Sequence, residues 1–295
     1  MTFNDNANLG GGGGDRVRKR GRGVAIGGGI GGVGLIAVFL ISQLFGVDLS
    51  GLVGGGTGGG GEVAGESLEN CQTGADANAS AECRVKGAAA SLDDYWEDEV
   101  PALGGQYAPP QEVTLFTDAT QTGCGSATSA TGPFYCPSDE HIYVDVSFFD
   151  QLRSQFGSSG GSLAQMYVIA HEWGHHVQNL LGDLDRYSDG QTGPESNQVR
   201  IELQADCYAG AWVAAASKTK DEQGTTLLKQ PTDAQIADAL SAAAAVGDDR
   251  IQEKVQGQVT PHTFTHGTSE QRQSWFTNGY RGGAEACDTF STRSL

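Results

Sequence analysis

Basic residues are scarce. The 295 residues include 18 lysines and arginines against 36 aspartates and glutamates, a formal net charge of −18. Nucleic-acid binding needs a basic footprint for the phosphates, so nucleic acid is excluded as the main partner. Charged residues make up only 18 % of the chain and apolar residues 38 %, both below the usual globular share. Glycine displaces them, with 45 residues, many in blocks near the N-terminus. They follow no triplet period, which excludes a collagen helix and marks linkers. The ordered part is therefore shorter than the chain, yet long enough to bury a core. No C-x-x-C pair occurs, which removes a cysteine zinc site and a thioredoxin-like motif. No internal repeat occurs either.

What is present begins with an uncharged run. Residues 1–23 hold Arg16, Arg18, Lys19, Arg20 and Arg22 against Asp5 and Asp15, giving 5 − 2 = +3. Residues 24–47 then carry no charge, and 24 residues suffice to cross roughly 30 Å of hydrocarbon. The basic flank predicts a cytoplasmic tail at 1–23, a single transmembrane helix at 24–47 and an exit at Asp48. A cleaved signal peptide is the rival, but its apolar region spans only about 7–15 residues. Residues 48–66 read as a Gly-rich flexible linker, and 67–295 as an extracytoplasmic domain. All six cysteines, Cys71, Cys83, Cys124, Cys136, Cys207 and Cys287, follow the run, as an oxidising compartment requires. Six cysteines allow fifteen pairings, and sequence alone does not choose among them. The local pairs Cys71–Cys83 and Cys124–Cys136, leaving Cys207–Cys287, are the expected arrangement.

In the globular part, 91–100 reads as a short helix, with strands at 113–117 and 142–146. A short helix at 148–156 precedes a Gly-rich loop. Ser162 and Gln165 form a capping-box pattern for a helix from Leu163 to about Leu181, stopped by Gly182. Its apolar stripe is Met166, Ala170, Gly174, Val177 and Leu181. Further helices are expected at about 198–217, 232–246 and from 269. Helices outnumber strands and are not interleaved with them, so the class is α+β, helix-rich.

The chemistry lies in the helix that begins at 163. His171-Glu172-Trp173-Gly174-His175 is H-E-x-x-H, and residues i and i+4 share a helix face. His171 and His175 can therefore bind one metal ion. Glu172, turned by about 100°, reaches a water on that ion, whose pKa zinc lowers to about 7. A catalytic zinc takes a third protein ligand. The extended H-E-x-x-H-x-x-G-x-x-H pattern fails, because positions 178 and 181 are Gln and Leu. A glutamate on a following helix remains, and Glu202 in RIELQADCYAG fits. Asp206, at i+4 from Glu202, is placed to accept a hydrogen bond from a ligand histidine. Unpaired acids on a buried helix would be costly, which argues against an ordinary polar stripe. His266 is a candidate donor to the tetrahedral oxyanion, or else a loop-fixing residue. Tyr208 and Tyr280 are weaker candidates for the same role. His176 reads as packing or support, and His141 and His262 as surface residues.

Five segments also resemble a bacterial family, the putative neutral zinc metallopeptidases. They are GPFYCPSDEHIYVDVSFF (132–149), YVIAHEWGHHVQNLLG (167–182), RIELQADCYAGAW (200–212), ALSAAAAVGDDRIQ (239–252) and FTHGTSEQRQSWFTNGY (264–280). The resemblance spans roughly 67–290 and implies a membrane-anchored zinc peptidase with a zincin-like domain. By position it places the family's H-E-x-x-H on His171, Glu172 and His175. Its E-L-Q-A-D-C segment falls on Glu202 and Asp206.

The resulting expectation is a single-pass metalloendopeptidase with one Zn2+ ion, acting on peptide or protein substrates outside the cytoplasmic membrane. Glu172 is its general base, and strand 142–146 is the cleft edge that pairs with an extended peptide. The alternatives are a zinc amidase on cell-wall peptides and a non-catalytic, zinc-stabilised, membrane-tethered binding module. The intact Glu172 argues against the last, since a structural metal site has no use for a base.

Overall fold

The structure, a computed structural model, describes residues 1–20 and 65–295. Its strands are β1 (Val17–Lys19), β2 (Glu66–Ser67), β3 (Glu112–Phe116), β4 (Ala119–Thr122), β5 (Gly125–Thr128), β6 (Phe134–Cys136) and β7 (His141–Asp145). Its helices are α1 (Gly74–Ala79), α2 (Ala81–Ala102), α3 (Phe148–Ser154), α4 (Ser162–Leu181), α5 (Asp183–Tyr187), α6 (Asn197–Ala215), α7 (Asp233–Ala245), α8 (Asp248–Gln256) and α9 (Ser269–Gly282). The class is helix-rich α+β.

One sheet runs β2-β1-β3-β7-β6, with β1, β3 and β7 parallel and the outer strands antiparallel. Val113, Leu115, Phe116, Ile142, Tyr143 and Val144 are all buried, as suits strands covered on both faces. Helices α1 and α2 lie in sequence between the parallel strands β1 and β3. That crossover is invisible in the sequence pattern because β1 is short and polar. The strand expected at 142–146 is β7, but it is not an edge: it sits between β3 and β6. The edge falls instead on β6, which the sequence pattern does not single out.

Helix α4 ends as expected at Gly182, whose φ of 77° is left-handed. Its start differs. The N-cap is Gly161, and neither Ser162 nor Gln165 closes a capping box. Asp238 of α7 takes over, accepting from the N–H groups of Gly161 at 3.3 Å and Ala164 at 3.2 Å. A carboxylate there also complements the helix dipole. Helix α2 begins ten residues before the expected 91, because AECRVKGAAA continues the helix; Trp96 is fully buried against Tyr208. Three disulfides join Cys71–Cys83, Cys124–Cys136 and Cys207–Cys287. The last ties α6 to the C-terminal segment.

The N-terminal expectation needs correction. Residues 24–47 and nearly all of the linker at 48–66 lie outside the described residues. Among the described residues no helix is long and apolar enough to cross a membrane. Residues 1–20, read as a cytoplasmic tail, share a core and a sheet with 65–295. Met1, Phe3, Leu9 and Val17 are buried in the main core. Phe3 pairs with Leu228, Asn8 with Thr73, and β1 with both β2 and β3. A Cβ at Gly87 would fall 2.5 Å from the Phe3 ring, so glycine forms the slot that admits it. Segments hydrogen-bonded in one sheet cannot lie on opposite faces of a bilayer. The placing as a single-pass membrane protein, N-terminus cytoplasmic and catalytic domain extracytoplasmic, therefore does not stand. Neither does a fold class with a transmembrane helix set before the domain.

Candidate metal centre

Two helices build the site. Gly174, inside H-E-W-G-H, lets α4 touch α6: a Cβ there would lie 3.0 Å from Ala205 Cα and 3.2 Å from its carbonyl oxygen. This approach brings His171, His175 and Glu202 together, with one donor atom from each within 4.8 Å of the others. His171 Nε2 is 3.2 Å from Glu202 Oε2, and His175 Nε2 is 3.7 Å from Glu202 Oε1. Metal bonds of about 2.0–2.1 Å at tetrahedral angles place ligand atoms about 3.3 Å apart. Two imidazoles and one carboxylate are also the donor chemistry that zinc takes in catalytic sites. The residues fit the ion.

The second nitrogens of both imidazoles are committed elsewhere. His171 Nδ1 faces Asp206 Oδ1 at 2.9 Å, and His175 Nδ1 faces Gln178 Oε1 at 2.8 Å. Gln178 is locked in turn, its amide donating to the Ile201 carbonyl and to Gln204 Oε1. Donation from each Nδ1–H leaves both Nε2 lone pairs turned to Glu202, a repulsive arrangement unless positive charge sits between. The electrostatics agree. Burial pulls the His171 pKa down, but Asp206 and Glu202 outweigh it and push it up to about 10. Burial pulls Glu202 up, yet the surrounding histidines hold it well below the usual carboxylate range.

Glu172 is buried and lines the same cleft of about 260 Å³. Its carboxylate has no hydrogen-bond partner among the described residues, and burial raises its pKa above the carboxylate norm. An unpartnered carboxylate whose pKa is raised toward the working pH is what a general base requires.

Asp206 is the centre of a buried network that the sequence does not reveal. Arg272 of α9 holds it bidentately, Nε to Oδ2 at 2.7 Å and Nη2 to Oδ1 at 2.9 Å. The Tyr167 hydroxyl also donates to Asp206 Oδ1, and Arg272 Nη2 reaches that hydroxyl at 3.2 Å. Tyr167 and Gln178 had a usable signal, being at i−4 from His171 and i+3 from His175. Arg272 had none, since its partners are 66 and 105 residues away in sequence.

Arg272→Ala is expected to lower zinc affinity about 10- to 100-fold, because the carboxylate that orients His171 loses its clamp. Arg272→Lys, a point charge without the planar fork, is expected to restore only part of it. Competition with a zinc chelator measures both. An unchanged affinity in the folded Arg272→Ala protein would remove the role.

His266 lines the cleft, with Nδ1 held 3.2 Å from Asp248 Oδ1. Asp248 fixes the whole loop: its Oδ2 accepts from the N–H groups of Thr265, His266 and Gly267 at 2.7, 2.7 and 3.0 Å. The remaining candidates lie away from the cleft. His176 is buried between Tyr135 and the Ala108 carbonyl. Tyr208 packs on Trp96 and Tyr280 stacks on Phe276. His141 meets Tyr143, and His262 is exposed.

Comparison with known proteins identifies the family. Residues 3–290 match the family described as "Putative neutral zinc metallopeptidase". An uncharacterized protein of Mycobacterium tuberculosis H37Rv is 52 % identical over 233 residues, 78 % of each chain. The uncharacterized protein YpfJ of Escherichia coli K12 is 39 % identical over 271 residues, covering 89 % of this chain and 87 % of its own. No solved structure matches the chain. A family match over nearly the whole length, together with relatives at this identity, shows that the chain belongs to the putative neutral zinc metallopeptidase family.

Proposed function

We propose that the protein is a zinc-dependent peptidase that hydrolyses peptide bonds in the cleft over α4 and α6. The observation that carries this reading is the convergence of His171, His175 and Glu202 beside an unpartnered Glu172. His171, His175 and Glu202 would hold the ion. A bound zinc ion supplies Lewis acidity for a carbonyl and lowers the pKa of water.

The rest is done by the chain. The Glu172 carboxylate takes a proton from the attacking water and returns it to the leaving amine nitrogen. Asp206, clamped by Arg272 and Tyr167, keeps Nδ1–H of His171 pointed away from the ion. The His266 imidazole donates a hydrogen bond to the oxyanion of the tetrahedral intermediate. Burial lowers its pKa, but Glu202 and Asp248 outweigh that and raise it. Edge strand β6, whose Phe134 and Tyr135 line the cleft, takes the place expected of 142–146 as the strand that an extended peptide joins.

Replacing His266 by alanine is expected to lower kcat about 10²- to 10³-fold, the usual cost of one oxyanion donor. KM and bound zinc should change little. Steady-state kinetics on an unfolded protein substrate test this, and an unaltered kcat would return His266 to a loop-fixing role. Products from cell-wall peptide crosslinks, without cleavage of protein substrates, would favour an amidase instead.

A further inference from the structure

The cleft is lined by the polar groups His171, Glu172, His175, Glu202, His266 and Arg272, by further polar side chains such as Gln151 and Gln198, and by an apolar wall. Phe148 and Phe156 bracket α3 with ring centroids 6.4 Å apart, and both remain partly exposed. Val168 stands three residues before His171 on α4, and Ile201 directly before Glu202 on α6. Val246 and Ile251, on either side of the α7–α8 junction, complete the wall. None of these six side chains can ionise or hydrogen-bond, in a protein with 36 acidic residues. A concave apolar wall beside a few convergent polar groups is the form of a ligand pocket.

We infer that this wall receives a bulky apolar side chain next to the scissile bond, so that the substrates are unfolded or non-native proteins; this rests on the peptidase reading above. A Leu or Phe side chain that leaves water for this wall gains binding there. A Ser or Asp side chain gains none from these six apolar groups, and loses hydration that they do not replace. Discrimination of about 10- to 100-fold in kcat/KM follows from burial of that size. Leu, Ile, Phe and Met are the residues that folded proteins hide. The preferred cleavage point is therefore presented by a chain only when it is not folded. The acidic balance of the protein adds a second filter, because it opposes the approach of acidic segments.

The test uses the full-length, zinc-loaded, oxidised chain. One set of substrates is a peptide series identical except for one residue, which is Phe, Leu, Ala, Ser or Asp. The other is a disulfide-bonded protein offered native, and again after reduction and carbamidomethylation. Products are assigned by mass spectrometry. The expected result is cleavage beside Phe or Leu at least about tenfold faster than beside Ser or Asp, with the unfolded protein cut and the native one spared. Phe156→Ser, and independently Ile251→Ser on a different helix, should each shrink the Phe-over-Ala ratio about tenfold. Equal cleavage beside Ser or Asp, or ratios unmoved in both variants, overturns the inference while leaving a peptidase. A native protein cut as fast as its unfolded form overturns the substrate class. No cleavage of any peptide by a chain with zinc bound overturns the peptidase reading and this inference together.

Discussion

Glu172→Gln is expected to lower peptide hydrolysis about 10²- to 10⁴-fold, while one zinc per chain stays bound. Glutamine keeps the volume of the side chain but cannot take a proton from water. The metal donors come from His171, His175 and Glu202, so the substitution leaves them in place. Stability should hold or rise slightly. The wild-type carboxylate is buried with no hydrogen-bond partner among the described residues, and that burial is a cost which a neutral amide reduces. Steady-state rates, zinc content and a thermal melt on the same preparations check the three statements. Turnover near the wild-type level would show that Glu172 is not the base. Loss of zinc would show that it is a ligand.

The second large effect concerns stability. Deleting residues 1–20 is expected to remove most of the net folding free energy. Met1, Phe3, Leu9 and Val17 are buried in the main core, and each such side chain is worth about 1.5–3 kcal/mol. Whole domains hold only about 5–15 kcal/mol in reserve. The deletion also strips β3 of its parallel neighbour β1, and so exposes a hydrogen-bonding edge. Phe3→Ala is the milder probe, with an expected cost of about 3–5 kcal/mol, because the slot at Gly87 is shaped for the ring. Denaturant unfolding of the full chain and both variants measures this. Equal midpoints would mean that residues 1–20 are not part of the folded core.

The N-terminus also shows where sequence reasoning fails. A basic cluster before an uncharged run carries the pattern of a membrane-crossing segment, and that pattern is local. The docking of Phe3, Leu9 and Val17 is long-range, and three apolar residues spread over fifteen positions give no period to detect. The edge strand was misplaced for a related reason. The β-branched run of β7 is easy to see, but its position between β3 and β6 is set by pairing with distant strands.

The site was more legible, because its spacing is helical. His171 and His175 at i and i+4, then Glu202 and Asp206 at i and i+4, place four groups on two facing stripes. The structure brings those stripes together through Gly174. Arg272 and Asp248 could not be read, since nothing near them in sequence distinguishes a buried clamp from a solvated helix face. The cap of α4 follows the same logic: a plausible local box was displaced by Asp238 from another helix.

The most direct test of the central claim is hydrolysis of an unfolded protein by the full-length, oxidised chain through one cycle of zinc removal and return. The account predicts cleavage by the zinc-loaded protein, its loss on chelation and its recovery when one equivalent of zinc is restored. Cleavage that survives complete removal of zinc, or none with one zinc bound per chain, would contradict it.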